Sequence, residues 1–249
     1  MLSKPFFISA PLLCIGALLF SEASNNDTLK CTFSSGENWQ FPKDQTTQNK
    51  LLSFEENSTL SMGDSLHTKD QSLCEIVNLS LQMRIGSNSV LEVNDDIISI
   101  TRGSMLLSLK SPKPIIIKTE NSSLSTKGRY TAIIDCTGNG GFKFIPLEGK
   151  GFIIPEKGKA KEIYRGRLTM VLGSPSQLGN AYDIDLLLLL KSSRLINSFP
   201  TPLPSMKRIS LSIYAQQLMI KGKYNALIGD APSDDNLQMW AFGEDEAKK

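Results

Sequence analysis

Short runs of β-branched and aromatic residues, spaced about ten residues apart, constrain the fold of this chain more than any other feature. Clusters of Gly, Asn, Asp, Ser and Pro separate these runs, and they favour turns because they accept positive φ or fix φ. The pattern predicts a mainly β fold, an antiparallel sandwich or jelly-roll-like domain, or a solenoid-like one. The predicted strands cover residues 78–85, 90–93, 97–101, 105–109, 115–119, 130–134, 142–147, 151–154 and 168–172.

The clearest single pattern is the strict polar–apolar alternation of residues 78–85 (NLSLQMRI). Successive side chains of a strand point to opposite faces, so Leu79, Leu81, Met83 and Ile85 share one face. The sequence therefore predicts a half-buried strand, with its polar face in solvent.

The chain changes character towards its C-terminus. Asp183 as N-cap, Asp185 in the first turn and Lys191 and Arg194 near the end suit a helix dipole and predict a helix over residues 183–196. Its five consecutive leucines are too apolar for a solvated face. We therefore expect this helix to dock on the β domain, with docking on a partner chain as the alternative.

A proline-rich break precedes a second apolar segment. Ser205 can cap a helix over residues 206–221, with Gly222 just past its end. Residues 209–213 also alternate as a strand would, and propensity alone does not decide between the two. The polar, turn-rich residues 229–249 are predicted to be mostly disordered.

The first residues have the pattern of a secretory signal. Lys4 precedes 16 apolar residues, and the small residues Ser21 and Ala23 follow, which predicts cleavage after Ala23. The apolar run is shorter than the roughly 20 residues of a membrane-spanning helix, so an uncleaved anchor is the lesser alternative. The sequence thus predicts export to the periplasm or beyond the cell.

Three cysteines follow the predicted signal, Cys31, Cys74 and Cys136. An oxidising compartment would allow one pair to form a disulfide, and the sequence leaves the pair open. No Cys-x-x-Cys or His-x3-His spacing accompanies His67, so neither a metal site nor a cofactor is predicted.

Composition and motifs argue against several function classes. Nucleic-acid binding needs a concentrated basic surface and aromatic side chains on which bases stack. A net charge of +2 and an aromatic content of 7% offer little of either. His67 is the only imidazole, and no nucleophile elbow accompanies it. The carboxylate pairs Asp95-Asp96 and Asp234-Asp235 lie in turn-like contexts, where aspartates usually cap or solvate the loop. The sequence therefore predicts a protein that is not an enzyme.

A thirteen-residue unit occurs twice. Residues 100–112 and 163–175 align without gaps, with six identities that include an Arg-Gly pair. Arg102 and Arg165 could form a paired anion site. The preferred interpretation is a turn made possible by glycine, with each arginine on the solvent face.

A cation-rich stretch with a net charge of +4 is the candidate binding surface. Alternation along residues 142–146 places Lys143 opposite the core-facing side chains. Such a surface suits an acidic envelope polymer or lipid; the alternative is a solvated strand face that protects a sheet edge. This basic strip consists of Lys143, Lys150, Lys157, Lys159, Lys161, Arg165 and Arg167.

Four segments between residues 84 and 153 resemble the FecR domain family in order and spacing: RIGSNSVLEV, ITRGSMLLSLKSPKPIIIKT, LSTKGRYTAII and GGFKFIPLEGKGFI. Gly103, Gly128 and Gly149 occupy glycine positions of the family and are expected to be structural. The family's Gly-Thr pair is Gly128-Arg129 here, which leaves the role of a threonine in doubt. The resemblance implies an extracytoplasmic antiparallel β domain without catalytic residues, which in its best-known members relays a signal from an outer-membrane receptor toward a sigma factor.

The resemblance also favours helix over strand for residues 206–221. Because four residues precede the apolar run, the chain is expected to resemble the stand-alone secreted members. The predicted organisation is a signal peptide (1–23), a short linker (24–29), a FecR-like β domain (30–175), a helical tail docked on it (176–228) and a mostly disordered C-terminus (229–249).

The predicted function is a non-catalytic binding or structural module of the bacterial cell envelope. Its expected partner is an unknown envelope protein or polysaccharide, without nucleic acid and without a stable membrane span after cleavage. A component of a receptor-to-sigma-factor signalling system is the alternative, and a glycan-active enzyme is the third.

Overall fold

The computed structural model of the protein describes residues 28–43, 51–220, 225–228 and 239–242. The predicted signal peptide lies outside these residues. The described strands are β1 Thr28–Ser35, β2 Asn38–Phe41, β3 Leu52–Ser53, β4 Thr59–Ser61, β5 Ser65–Thr68, β6 Leu73–Val77, β7 Leu81–Ile85, β8 Val90–Asn94, β9 Ile97–Arg102, β10 Ser104–Leu109, β11 Ile115–Lys118, β12 Ser123–Cys136, β13 Phe142–Pro155, β14 Lys161–Glu162, β15 Arg167–Leu172, β16 Gln177–Asp183, β17 Asn225–Ile228 and β18 Met239–Phe242. The helices are α1 Leu186–Ser192, α2 Arg194–Asn197 and α3 Met206–Ile220.

A long hairpin of β12 and β13, each fourteen residues, organises the sheet. The first half of β12 pairs with β11, which leads through β9, β8, β5 and β2 to β3. The second half pairs with β10, which leads through β7, β6 and β1 to β4. On its other side, β13 pairs with β14 and β15, and β15 pairs with β16. Among the described pairings of this sheet, β9 with β11 is parallel and the rest are antiparallel.

The two arms that leave this hairpin share one hydrophobic core. Buried residues of β5, β8 and β11 lie in the same cluster as buried residues of β6, β7 and β10. They include Leu66, Leu91 and Ile117 from one arm and Ile76, Met83 and Leu107 from the other. The predicted mainly β fold with helices near the C-terminus is confirmed, although three described helices replace the expected two.

A second hydrophobic cluster joins the helical tail to the outer face of the sheet. Leu106, Ile133 and Ile145 supply the sheet side. Leu186, Leu189, Leu195, Ile209 and Ile213 supply the helical side. The leucine-rich segment therefore docks within the chain. No described helix is both long and apolar enough to cross a membrane.

The start of the first helix differs from the predicted one. Asp183 ends β16, where its carboxylate accepts a hydrogen bond from Arg167 Nε at 2.9 Å. Asp185 is the N-cap instead, and its Oδ1 accepts from the amides of Leu187 and Leu188 at 2.8 and 3.2 Å. The prediction missed β16, whose pairing with β15 carries the strand through Asp183.

The second predicted helix corresponds to α3, and the strand alternative for residues 209–213 is wrong. Most of residues 229–249 are predicted to be disordered. Within them, β18 pairs with β17, and the other residues lie outside the described part.

The alternating segment 78–85 is not half-buried as predicted. β7 is buried on both faces, with Arg84 at 0% exposure, whereas Leu79 precedes the strand and is 74% exposed. The reason is tertiary, because the helical tail covers the polar face. The alternating pattern predicts the strand correctly, but it does not predict which part of the chain packs on that strand.

Candidate anion-binding groove

The structure does not keep the basic strip together. Lys143 is only 5% exposed, and its ammonium lies 3.1 Å from Asp135 Oδ2. The expectation that it sits on a solvated face is wrong, because Ile145 and Leu147 of the same strand face pack in the second hydrophobic cluster. Lys143 is therefore a structural residue.

Four other residues of the strip lie elsewhere on the surface, and two of them, Lys161 and Arg167, line one smaller cavity of about 470 Å³. Arg167 pairs with Asp183 across β15 and β16, and its guanidinium lies 4.9 Å from the ring centroid of Tyr164. Lys157 and Lys159 are exposed in the segment that follows β13. Lys161, on β14, donates to the carbonyl of Gly179 at 3.4 Å. None of these four lines the groove described next.

Lys150 and Arg165 do meet, in a groove of about 860 Å³ between the β12–β13 hairpin, the end of β10 and α3. We call it the cationic groove. Three cations that the basic strip did not include complete its lining, namely Lys110, Arg129 and Arg208. Among the described residues that line it, Glu148 is the one carboxylate. Five cations against one anion make it a site of net positive charge.

Arg129 and Lys150 are directly opposite each other on β12 and β13. Directly opposed residues of an antiparallel pair have Cβ atoms about 4.5–5.5 Å apart, and like charges at that spacing destabilise the sheet. Both side chains are exposed. An anion bound between them would remove this repulsion.

The carboxylate of Glu148 is already engaged. It is 4% exposed and accepts from Thr131 Oγ1 at 2.7 Å and from Arg208 Nε at 2.8 Å. The hydrogen bond to Glu148 raises the pKa of the Arg208 guanidinium. In the described part of the chain, Lys110, Arg129, Lys150 and Arg165 have no carboxylate within salt-bridge distance. Within the described structure, these four charges are available to contact a ligand.

Two of the glycines predicted to be structural lie at or next to the wall of the groove. Gly149 has φ +110°, and a Cβ there would lie 2.4 Å from the Arg129 carbonyl oxygen. Gly128 has φ +143°, and a Cβ would lie 2.2 Å from the Lys150 carbonyl oxygen. Both glycines fall between predicted strands, and in the structure both instead bend a continuous hairpin. The bend sets Arg129 and Lys150 side by side.

The two Arg-Gly units are turns of the kind that sequence favoured. Gly103 and Gly166 have φ of +84° and +70°, and a Cβ at Gly103 would lie 2.6 Å from Ser89 Cα. Arg102 Nε donates to the Asn88 carbonyl at 3.0 Å, away from the groove. Arg165 alone of the two lines the groove.

The remaining candidates for chemistry occupy local structural contacts. His67 Nε2 lies 3.0 Å from Ser65 Oγ, and its ring packs against Phe41. Burial and the cations Lys69 and Arg102 lower its pKa. Asp96 pairs with Lys113 at 2.5 Å. Asp234-Asp235 lies outside the described residues.

Most of the groove escaped sequence reasoning because its cations come from four strands or connections and a helix, between residues 110 and 208. Arg129 did leave a signal. It is the position at which the sequence departs from the Gly-Thr pair of the FecR resemblance, and it is the residue directly opposite Lys150.

No family model matches the sequence, and no curated protein matches it. Two crystal structures of a candidate anti-sigma factor from Parabacteroides distasonis are similar. One, at 1.65 Å resolution, is 10% identical with a TM-score of 0.38. The matched region covers 48% of this chain and 59% of the chain in that structure. The other, at 2.50 Å resolution, is 8% identical with a TM-score of 0.40. The matched region covers 72% of this chain and 98% of the chain in that structure.

Proposed function

We propose that this chain is a non-catalytic, FecR-like binding module of the bacterial cell envelope, and that the cationic groove is where it binds an anionic partner. The supporting observation is that Lys110, Arg129, Lys150 and Arg165 line one groove without carboxylate partners in the described structure. Export, through the predicted signal peptide, is part of the proposal. It would place the groove opposite envelope polymers.

A polyanion suits this groove better than a small anion. The groove is open to solvent along one side of the sheet, and its cations are spread over several elements rather than converging on one buried point. Repeated carboxylates could contact several of these cations together, and the affinity would fall as salt screens them. We therefore propose an acidic polysaccharide as the partner class.

Binding of polygalacturonate, a carboxylate polymer, tests the proposal. The charge-reversal variant Lys150→Glu/Arg165→Glu should bind about tenfold more weakly than wild type, a loss of about 1.4 kcal/mol. The matched control is Lys157→Glu/Lys159→Glu, which changes the net charge equally at exposed residues outside the groove. It should bind within about twofold of wild type, because those residues would not touch the polymer.

Three outcomes would contradict the proposal. An equal loss in both variants would mean that net charge alone attracts the polymer. Equal binding of neutral dextran would mean that charge is not recognised. Wild-type protein that fails to bind polygalacturonate at low salt would exclude the polysaccharide class, and an acidic protein surface, as in the signalling alternative, would be the next partner to test.

A further inference from the structure

Two of the three cysteines beyond the predicted signal lie in contact in the core. Cys31 on β1 and Cys74 on the neighbouring strand β6 have their Sγ atoms 3.7 Å apart, and both are fully buried. Cys136 is at the end of β12, where its thiol donates to the Ile100 carbonyl at 3.3 Å. Their proximity therefore favours Cys31 with Cys74 among the disulfide pairings that the sequence left open.

An irregularity in the ladder creates this contact. Cys31 is opposite Ile76, so Cys74 is its diagonal neighbour two residues along β6. Diagonal neighbours in a regular antiparallel pair lie about 7–8 Å apart, too far for a bridge. The register shifts immediately after Cys31, and this bulge brings the two side chains together on the core face.

We propose that Cys31 and Cys74 form a disulfide that ties β1 to β6 in the native fold. Closing the bond needs the sulfur atoms to approach by about 1.7 Å, because a disulfide measures about 2.05 Å. Side-chain rotation can supply that distance. The bridge is a property of the β domain and does not depend on the function of the cationic groove.

The other pairings fail on geometry. β10 and β7 lie between β12 and β6 in the sheet. Adjacent strands are about 4.8 Å apart, so Cys136 is roughly 14 Å from β6 and further from β1. Two Cα atoms more than about 7 Å apart cannot be bridged without moving the backbone.

The chemistry requires a disulfide oxidant, for which oxidised glutathione serves. The thiolate of Cys31 attacks one glutathione sulfur, which forms a mixed disulfide and releases one glutathione thiolate. The thiolate of Cys74 then attacks the Cys31 sulfur and releases the second. The two cysteines lose two electrons, which reduce the oxidised glutathione to two thiols that take up the two cysteine protons. Because both thiols are buried, the oxidant reaches them during folding or local opening.

Refolding in a redox buffer tests the proposal. The full chain is unfolded in urea, refolded with reduced and oxidised glutathione, alkylated, digested and mapped by mass spectrometry. We expect one linked peptide pair, Cys31 with Cys74, and alkylated Cys14 and Cys136. Closing a loop of this length should raise Tm by on the order of 10 °C over the same protein in dithiothreitol.

Two variants complete the experiment. Cys136→Ser should keep both the linked peptides and the rise in Tm, whereas Cys74→Ser should lose both. Alkylation of Cys31 and Cys74 after oxidative refolding would overturn the proposal. So would linkage of either one to Cys136, or an oxidised form that melts below the reduced one, since a bridge that distorts the β1–β6 ladder destabilises the native state.

Discussion

Arg84 is the most deeply buried charge among the described residues. Its Nε donates to Glu75 Oε2 at 2.7 Å, and its Nη1 donates to the carbonyls of Leu195 and Ile196, both at 3.2 Å. Its Nη2 donates to the carbonyl of Thr201. Burial lowers the pKa of Arg84, and the hydrogen bond that it donates to Glu75 opposes that shift. One side chain therefore joins two strands to the helical tail.

Replacing Arg84 should be among the most destabilising single changes in the chain. Arg84→Met leaves the Glu75 carboxylate buried without its cation and three carbonyls without their donor, at a cost of about 3–5 kcal/mol. The double variant Arg84→Met/Glu75→Gln should lose less than the sum of the two single variants, because the unpaired charge is gone. Urea unfolding at fixed pH measures both. A cost under about 1 kcal/mol for Arg84→Met would contradict this account.

The sequence could place Arg84 on a strand but not in the interior. Alternation assigned it to the polar face of β7, which is the correct face. Its carbonyl partners come more than a hundred residues later in the chain. No local pattern carries that information, and the same limit explains why Lys143 was expected in solvent.

The β12–β13 hairpin is the element on which both the fold and the groove depend. Gly128 is opposite Gly151, and Gly149 is opposite Tyr130, so three glycines meet where the hairpin bends. The sequence pattern placed Gly128 and Gly149 between predicted strands and Gly151 at the start of one. They are instead bends within two long strands, because a glycine with positive φ redirects a strand while its ladder continues.

Two glycine-to-alanine substitutions test whether the bend requires glycine, one at the bend and one in the loop of the hairpin. Gly149→Ala should destabilise the protein by about 2 kcal/mol or more, since its φ is +110° and the new Cβ would meet backbone at 2.4 Å. Gly138→Ala, in the loop of the same hairpin, should change stability by less than about 0.5 kcal/mol, because nothing lies within 4 Å of its Cβ position. Thermal melts of both variants measure the two changes in stability. Equal effects would mean that the bend tolerates a side chain.

At the scale of the whole molecule, the helical tail is part of the fold rather than an appendage. It covers the outer face of the sheet and supplies the carbonyls around Arg84. The sequence predicted the order of a β domain followed by helices, and it predicted docking. It left sandwich and solenoid open, because the strand pairings join residues far apart in the chain.

Removing the tail should therefore unfold or aggregate the β domain. A chain that ends at Asp183 would expose Leu106, Ile133 and Ile145, and apolar patches of this kind drive association. We expect high-mass species in size-exclusion chromatography and binding of a hydrophobic dye. A chain that ends at Gly222 keeps all three described helices and should elute without high-mass species and melt cooperatively. A monomeric, cooperatively melting product from the shorter chain would contradict the account.

The position of Arg84 has a consequence for the order in which the protein is completed. Arg84 and the carbonyl of Thr201 are 117 residues apart. At a synthesis rate of about 5–20 residues per second, the arginine waits roughly ten seconds for that partner to be made. The outer face of the sheet is complete only when β13 has been made, and it then lacks its cover until the helices follow, which leaves an apolar surface exposed in a chain that folds as it emerges. A chaperone that protects this nascent chain would have to stay bound until the last helix has been synthesised.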